Sequence, residues 1–210
     1  MPAVAARRVR PVKPVKAVAD ARPKRDAILR AAIDVFAGRG YFNAQVADVA
    51  RAAGIAAGTV YLYFKSKDDL LVSIFERTMR EALTDGQAVT AVRDPRERLR
   101  RLARLHLERL GRDRNLAVVF QVELRQSTKF MERFSATLLR DYLGLIRDAI
   151  ADGQAAGLFR PELKPTRTAK MIFGALDEMA TNWILSRRRY SLEADADGVI
   201  DLFLNGARAR

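Results

Sequence analysis

The sequence predicts an all-α chain, and three observations predict it. From Lys24 onward apolar residues recur every three or four positions, the spacing of one helix face. No segment alternates apolar and polar residues for long enough to make a strand. Glycines, prolines and capping residues interrupt the pattern at intervals of about one helix. The expected architecture is an N-terminal three-helix unit followed by an antiparallel helical bundle, about nine helices in total.

Composition supports a folded, soluble chain. Its 210 residues can enclose a sizeable core, and 49% are hydrophobic against 30% charged. Cysteine is absent, which excludes disulfide scaffolds, thiolate zinc sites, thiol catalysis and iron–sulfur ligation. The longest apolar runs, such as Leu116 to Phe120, are too short to span a bilayer. The basic N-terminus lacks the apolar stretch of a secretory signal. The expected location is the cytoplasm.

Charge is the first positive clue. Lysine and arginine number 38 against 25 acidic residues, a net of +13 that favours a polyanionic partner. Residues 1–25 carry eight basic side chains against Asp20 alone. Residues 26–70 balance at five of each sign, and the stretch from Arg93 to Arg114 has nine basic against four acidic. The excess therefore sits in a leading arm and in one arginine-rich internal stretch.

Residues 1–22 have no helical or alternating period and contain Pro2, Pro11 and Pro14. They read as a flexible basic arm, either contacting nucleic acid or merely solvated. The first helix is expected over 26–39, with Ile28, Leu29, Ala32, Ile33 and Phe36 inward and Gly38 and Gly40 as its stop. A second follows over 46–53, closed by Gly54, and a third over 57–64 with Val60 and Phe64 on one side. Ser66 caps a fourth beginning near Lys67, where Asp68 and Asp69 favour the helix dipole. After a softer region from Asp85 to Val92, helices are expected near 95–111, 114–126, 129–156, 166–188 and 192–207. No internal repeat is visible.

The helices at 26–39, 46–53 and 57–64 have the spacing of a helix-turn-helix unit. Ala50 is small where two helices must approach, and Gly54 stands where the tight turn needs a left-handed backbone. In such a unit the second helix of the motif enters the major groove. The groove-facing positions are then Ala56, Ala57, Gly58, Thr59, Tyr61, Leu62 and Tyr63, with Gln45 at the preceding helix start and Lys67 adding a cation. The competing reading is a small three-helix core that binds nothing, but such a core has no need of Gly58, Tyr61 and Tyr63 facing outward.

Residues 24–71 closely resemble the DNA-binding head of TetR-family transcriptional repressors. The resemblance rests on Ile28 to Phe36, Gly40-Tyr41, Val46 to Ala50, Ala53-Gly54-Ile55, Gly58 to Phe64 and Lys67 to Leu71. It implies an all-α homodimer, a palindromic double-stranded DNA operator, and a division into the arm at 1–22, the head at 23–70 and a ligand-binding and dimerisation domain at 71–210. Two departures stand out: Ala44-Gln45 replaces the family's usual Thr-Thr, and Ala56 replaces its usual Ser. Each removes a side-chain cap worth on the order of 1 kcal/mol. Asn43 is the expected substitute cap for the second helix.

The C-terminal region resembles the fatty-acyl-CoA-responsive, FadR/YsiA-like branch of that family. The similarity covers roughly 115–206 and rests on Glu123 to Ser127 and on Met171 to Glu178, continuing to Trp183. It implies a long-chain acyl-CoA as small-molecule effector, with no cofactor. A long acyl chain needs an apolar tunnel between helices. Phe120, Leu124, Phe130, Phe134, Tyr142, Phe173 and Leu176 offer large side chains, with His106 and Asp177 beside them. Arg101 and Arg125, with Arg98 and Arg104, offer cations for phosphates. The bland alternatives are core packing for the first set and a solvated helix face for the arginines. Ile172, Leu176, Ala180, Ile184, Val199, Ile200, Phe203 and Leu204 are expected to form an intersubunit four-helix bundle.

Other chemistries are poorly served. His106, the single histidine, sits on a core stripe with Leu99, Leu102 and Leu110, and one histidine does not make a metal site. Asp177 and Glu178 point about 100° apart on a helix and cannot share a substrate as an acid–base pair. Gly38-Arg39-Gly40 lacks the Lys-Ser/Thr of a phosphate loop. An enzyme is therefore not expected. A repressor answering an aromatic-acid CoA thioester or a drug is the nearest alternative, and a non-specific basic coat protein is a more distant one.

Overall fold

A computed structural model describes residues 21–126, 137–188 and 190–207. Nine α-helices lie among the described residues: α1 (Ala21–Arg39), α2 (Val46–Ala52), α3 (Ala57–Tyr61), α4 (Lys67–Val89), α5 (Pro95–Gly111), α6 (Arg114–Val118), α7 (Leu138–Ala155), α8 (Pro165–Leu185) and α9 (Asp195–Ala207). No β-strand occurs among them. The all-α expectation holds. The basic arm falls outside the described residues except for Ala21 and Arg22, which open α1.

Helix ends follow local chemistry. α1 starts about a turn and a half earlier than expected, with Pro23 in its first turn, where a missing N–H leaves no intrahelical bond unmade. Ser66 accepts the Asp69 N–H at 3.0 Å, Asp94 accepts that of Arg96 at 2.9 Å, and Asp113 that of Leu116 at 3.0 Å. These three side chains start α4, α5 and α6. α2 is capped differently from the expectation. The Gln45 N–H is accepted by Asp48, while Asn43 donates to the Arg39 carbonyl at the end of α1. Ala56 begins α3 with no side-chain bond, and α3 ends at Tyr61 rather than Phe64.

α4 runs to Val89, straight through part of the expected softer region. Gly86 is not a breaker there. A Cβ at Gly86 would stand 2.5 Å from Leu145 Cδ1, so the glycine lets α7 approach α4. After α6 the chain rewinds, first as a π turn over Val119–Glu123 and then as a 3-10 turn over Leu124–Gln126.

Burial divides the core into two joined parts. Ile28, Leu29, Ile33 and Phe36 of α1 meet Val49, Val60 and Phe64, and Leu70, Leu71 and Ile74 of α4 close that cluster. Each such side chain contributes roughly 2 kcal/mol by leaving water. Beyond it, Leu99, Leu102 and Leu107 of α5 pack with Ile146 and Ile150 of α7, Leu176 of α8 and Ile200 of α9. This placement corrects the expected dimer face. Ile172, Leu176, Ala180, Ile184 and Ile200 are buried within one chain, and Val199, Phe203 and Leu204 pack partly against the same core. The large apolar side chains left outside on α8 and α9 are Met171, Leu185 and Leu202.

Candidate functional site

The first candidate surface is α3 and its surroundings. α2 ends in a turn closed by Gly54 at φ +68°, and the Ile55 N–H returns to the Ala50 carbonyl at 3.0 Å. Val49, Ala50 and Val60 face inward, fully buried. The opposite side of α3 therefore faces out: Tyr61 is 54% exposed and Leu62 82%, with Gly58 exposed and Thr59 half-buried. Ala57 and Tyr63 pack partly against the core, and Gln45 is exposed at the start of α2.

Lys67 differs from expectation. Its ammonium donates to the carbonyls of Tyr41, Phe42 and Ala44 at 2.8, 3.1 and 2.9 Å, and lies 4.6 Å from the centre of the Tyr41 ring. Three carbonyls use its three protons. It is a clamp on the turn between α1 and α2, not an outward cation. Outward cations of this unit include Lys65, shortly after α3, and Arg39 and Arg51, which share Asp48 of α2. The Phe42 side chain is also outside, at 62% exposure. Sequence reasoning missed these, although Lys65 directly follows the last buried residue of the unit.

The second candidate is a cavity of about 110 Å³ enclosed by α4, α5, α7, α8 and residues 119–126. A single water needs roughly 10–15 Å³ by this measure, so the space is no packing defect. His106, Phe120, Leu124, Arg125, Tyr142, Phe173 and Asp177 all line it, as expected. Leu176 does not: it is buried in the core on another face of α8. Phe130 and Phe134 lie outside the described residues. The α4 wall was missed. Thr78, Ala82 and Gly86 are small and recur at four-residue spacing beside Phe75 and Met79. Small residues stacked on one helix face leave room, and that signal was legible in the sequence.

A polar strip crosses this largely apolar wall, which Asp85 and Arg109 also line. Asp177 accepts from Gln121 at 2.7 Å and from Arg125, and Thr181 donates to Gln121 at 3.2 Å. His106, Tyr142 and Phe173 form a three-ring cluster, with the His106 ring 5.3 Å from Phe173 and 5.9 Å from Tyr142. Burial pushes the His106 imidazole down to about 4; Arg109 pushes the same way and Asp177 opposes them. The imidazole is neutral at physiological pH. Burial likewise pushes the Tyr142 hydroxyl up.

The arginine-rich stretch has a structural task. Arg98 pairs with Asp152 at 2.5 Å, Arg104 with Asp197 at 2.7 Å, and Arg100 with Asp201. Arg101 pairs with Glu97 on the exposed side of α5, away from the cavity. Arg114 donates to the carbonyls of Trp183 and Ile184. Arg98, Arg100, Arg104 and Arg114 tie α5 and α6 to their neighbours. A groove of about 490 Å³ between α7 and α8 is also bordered by basic residues: Lys170, Arg140 beside Asp141, and Arg147 paired with Asp148 at 2.7 Å. Leu139 borders both the groove and the cavity.

Among the described residues no group of His, Asp and Glu is arranged to hold a metal ion, and no helix is long and apolar enough to cross a membrane.

Comparison with known proteins bears on both candidates. Residues 28–74 match the family described as bacterial regulatory proteins, tetR family, and residues 75–206 match the C-terminal region of YsiA-like protein. The fatty acid metabolism regulator protein of Bacillus subtilis (strain 168) is 34% identical over 186 residues, 88% of this chain and 96% of its own. The fatty acid degradation regulator FadR from Bacillus halodurans superposes with a TM-score of 0.83 at 39% identity, covering 90% of this chain and 98% of that one. FadR from Bacillus subtilis in complex with stearoyl-CoA gives a TM-score of 0.81 at 33% identity, covering 87% and 99%. With a matching head and a matching C-terminal region, the chain belongs to the TetR family of transcriptional regulators, in the group with the YsiA-like C-terminal region.

Proposed function

We propose that this regulator is a cytoplasmic repressor that binds a palindromic operator as a homodimer and is released by a long-chain acyl-CoA, controlling genes of fatty-acid metabolism. It has no catalytic task. Residues 1–22 serve as a basic arm, 23–70 as the DNA-reading head, and 71–210 as the effector and dimerisation domain. The observation that carries the reading is the pairing of an apolar cavity with a basic groove that meets it at Leu139. An amphiphile with an apolar tail and a phosphorylated head matches that pairing. Arg140, Arg147 and Lys170 face the phosphates, and the tail lies among Phe75, Phe120, Leu124 and Phe173.

On the DNA side, Gly58, Thr59, Tyr61 and Leu62 reach base edges and sugars, Gln45 contacts the backbone, and Ala57 and Tyr63 seat the helix. Lys65, Arg39 and Arg51 supply phosphate contacts in place of Lys67. Met171, Leu185 and Leu202 lie on the face that meets a second copy, and a two-fold dimer reads a two-fold site. Release is a shift between two head spacings, for which a coupling of about 1–3 kcal/mol suffices.

The test is a gel-shift titration with a duplex selected by the protein from a random pool. Micromolar palmitoyl-CoA is expected to release the duplex, while coenzyme A alone leaves it bound. Indifference to palmitoyl-CoA overturns the effector assignment. Equal binding to scrambled duplexes overturns the sequence-reading assignment.

A further inference from the structure

The cavity and the head meet at one short segment. Residues 119–126 wind as a π turn and then a 3-10 turn, an irregularity that is rare inside helices and concentrates at functional positions. Phe120, Gln121, Leu124 and Arg125 line the cavity. Glu123 turns the other way. Its carboxylate is buried and accepts the Tyr41 backbone N–H at 2.6 Å, across 82 residues of chain.

The bond suits both ends. Gly40, at φ +77°, ends α1 and leaves the Tyr41 N–H beyond the helix, needing an acceptor from elsewhere. A Cβ at Gly40 would make only an ordinary contact with the same carboxylate, at 3.8 Å, so it is the positive φ and not the space that calls for glycine here. A carboxylate is costly to bury for packing alone, and an apolar side chain would fill the space at less cost. A charge-assisted hydrogen bond to a backbone amide is what Glu123 adds.

Each end is also held by several contacts to neighbouring elements. On the head side, Tyr41 is buried, its ring packs on Phe36, its hydroxyl bonds Asp68, and Lys67 grips its carbonyl. A displacement at Tyr41 therefore carries α1, the turn before α2 and the start of α4 together. On the cavity side, Phe120 stacks on Phe75 at 5.6 Å, and Gln121 and Arg125 both hold Asp177 of α8.

We propose that Glu123 is the positioning residue through which the occupied cavity sets the orientation of the DNA-reading head. An acyl effector that draws Gln121 or Arg125 from Asp177 shifts residues 119–126, and the Glu123 carboxylate moves against the Tyr41 amide. The inference rests on the acyl-CoA reading for its effector and on the Glu123–Tyr41 bond for its geometry, and two measurements separate the two.

The first measurement needs no effector. Amide hydrogen exchange of the peptide containing Tyr41 is compared in wild type, E123A and E123Q. E123A is expected to exchange about tenfold faster, and E123Q, which keeps an acceptor oxygen, to stay within about threefold of wild type. Equal exchange in wild type and E123A overturns the clamp. The second measures affinity for the selected duplex with and without palmitoyl-CoA, and palmitoyl-CoA affinity without DNA. Wild type is expected to lose about tenfold or more in duplex affinity, E123A less than about threefold, and E123Q nearly the wild-type ratio. Palmitoyl-CoA affinity without DNA stays within about threefold in all three. E123A keeping the wild-type ratio overturns the proposal, as does a loss of coupling that merely tracks lost palmitoyl-CoA affinity. A wild type indifferent to palmitoyl-CoA overturns the effector reading, and the exchange measurement then decides the clamp.

Discussion

The Tyr142 hydroxyl lies 3.3 Å from Nδ1 of His106, bringing α7 and α5 together at the cavity wall, while the imidazole Nε2 is buried with no hydrogen-bond partner among the described residues. This imidazole is held neutral by burial. Its proton affinity is therefore lower in the folded chain, down to about 4, than the roughly 6.5 of an unfolded one. A depressed folded value gives stability that is complete above pH 6.5 and is lost as pH falls toward 4. At pH 5 the loss is about 2 kcal/mol. His106→Phe removes the titration, so its drop in Tm between pH 7 and pH 5 is expected to be smaller than the wild-type drop by roughly 5 °C. Equal drops in thermal scans at the two pH values would falsify the assignment of a buried neutral imidazole.

Lys67 and Lys65 stand two residues apart and are expected to behave oppositely. Lys67 spends its protons on three carbonyls of the α1–α2 turn, whereas Lys65 is exposed. Lys67→Met is expected to lower Tm by several degrees and to leave the slope of log affinity against log salt unchanged. Lys65→Ala keeps Tm and lowers that slope by about 1. The reverse pattern in anisotropy titrations would reassign Lys67 to the DNA.

Gly153 in α7 supports Phe159 in the loop that follows. A Cβ there would stand 2.2 Å from two ring carbons of a phenylalanine that is only 2% exposed. Helix propensity alone favours alanine by roughly 1 kcal/mol. Overpacking a buried ring costs about 1–3 kcal/mol and acts against that gain. Gly153→Ala is expected to lower Tm, with an increase in Tm by calorimetry counting against so tight a contact.

Leu202 on α9 is 79% exposed in one chain, an unusual setting for leucine, and Leu185 and Met171 on α8 are exposed as well. Leu202→Glu is expected to convert a dimer into a helical monomer, read by light scattering and circular dichroism. A variant that stays dimeric places the interface elsewhere.

Much of the fold was legible because its signals are local. Ser66, Asp94 and Asp113 start their helices from within three residues, and the helical spacing of Ile28 to Phe36 needs no partner to be seen. The cavity was half legible. His106, Phe120, Leu124, Arg125, Tyr142, Phe173 and Asp177 were named, while the α4 wall went unnoticed because Thr78, Ala82 and Gly86 are conspicuous only by being small. Three assignments failed for one reason. Lys67, Arg101 and the supposed dimer stripe on α8 each have the right residue type, but partners far along the chain or around the helix use them otherwise.

The sequence by itself determined an all-α chain, the turn at Gly54 and the outward positions Gly58, Tyr61 and Leu62, since periodicity and backbone freedom act over a few residues. Only the tertiary structure decided where charge and space end up. It paired Arg98, Arg100 and Arg104 with aspartates 54 to 101 residues away, left the basic groove to Arg140, Arg147 and Lys170, and brought Glu123 against Tyr41. Ion pairs and cavities depend on distances between helices, and no short stretch of sequence encodes such a distance.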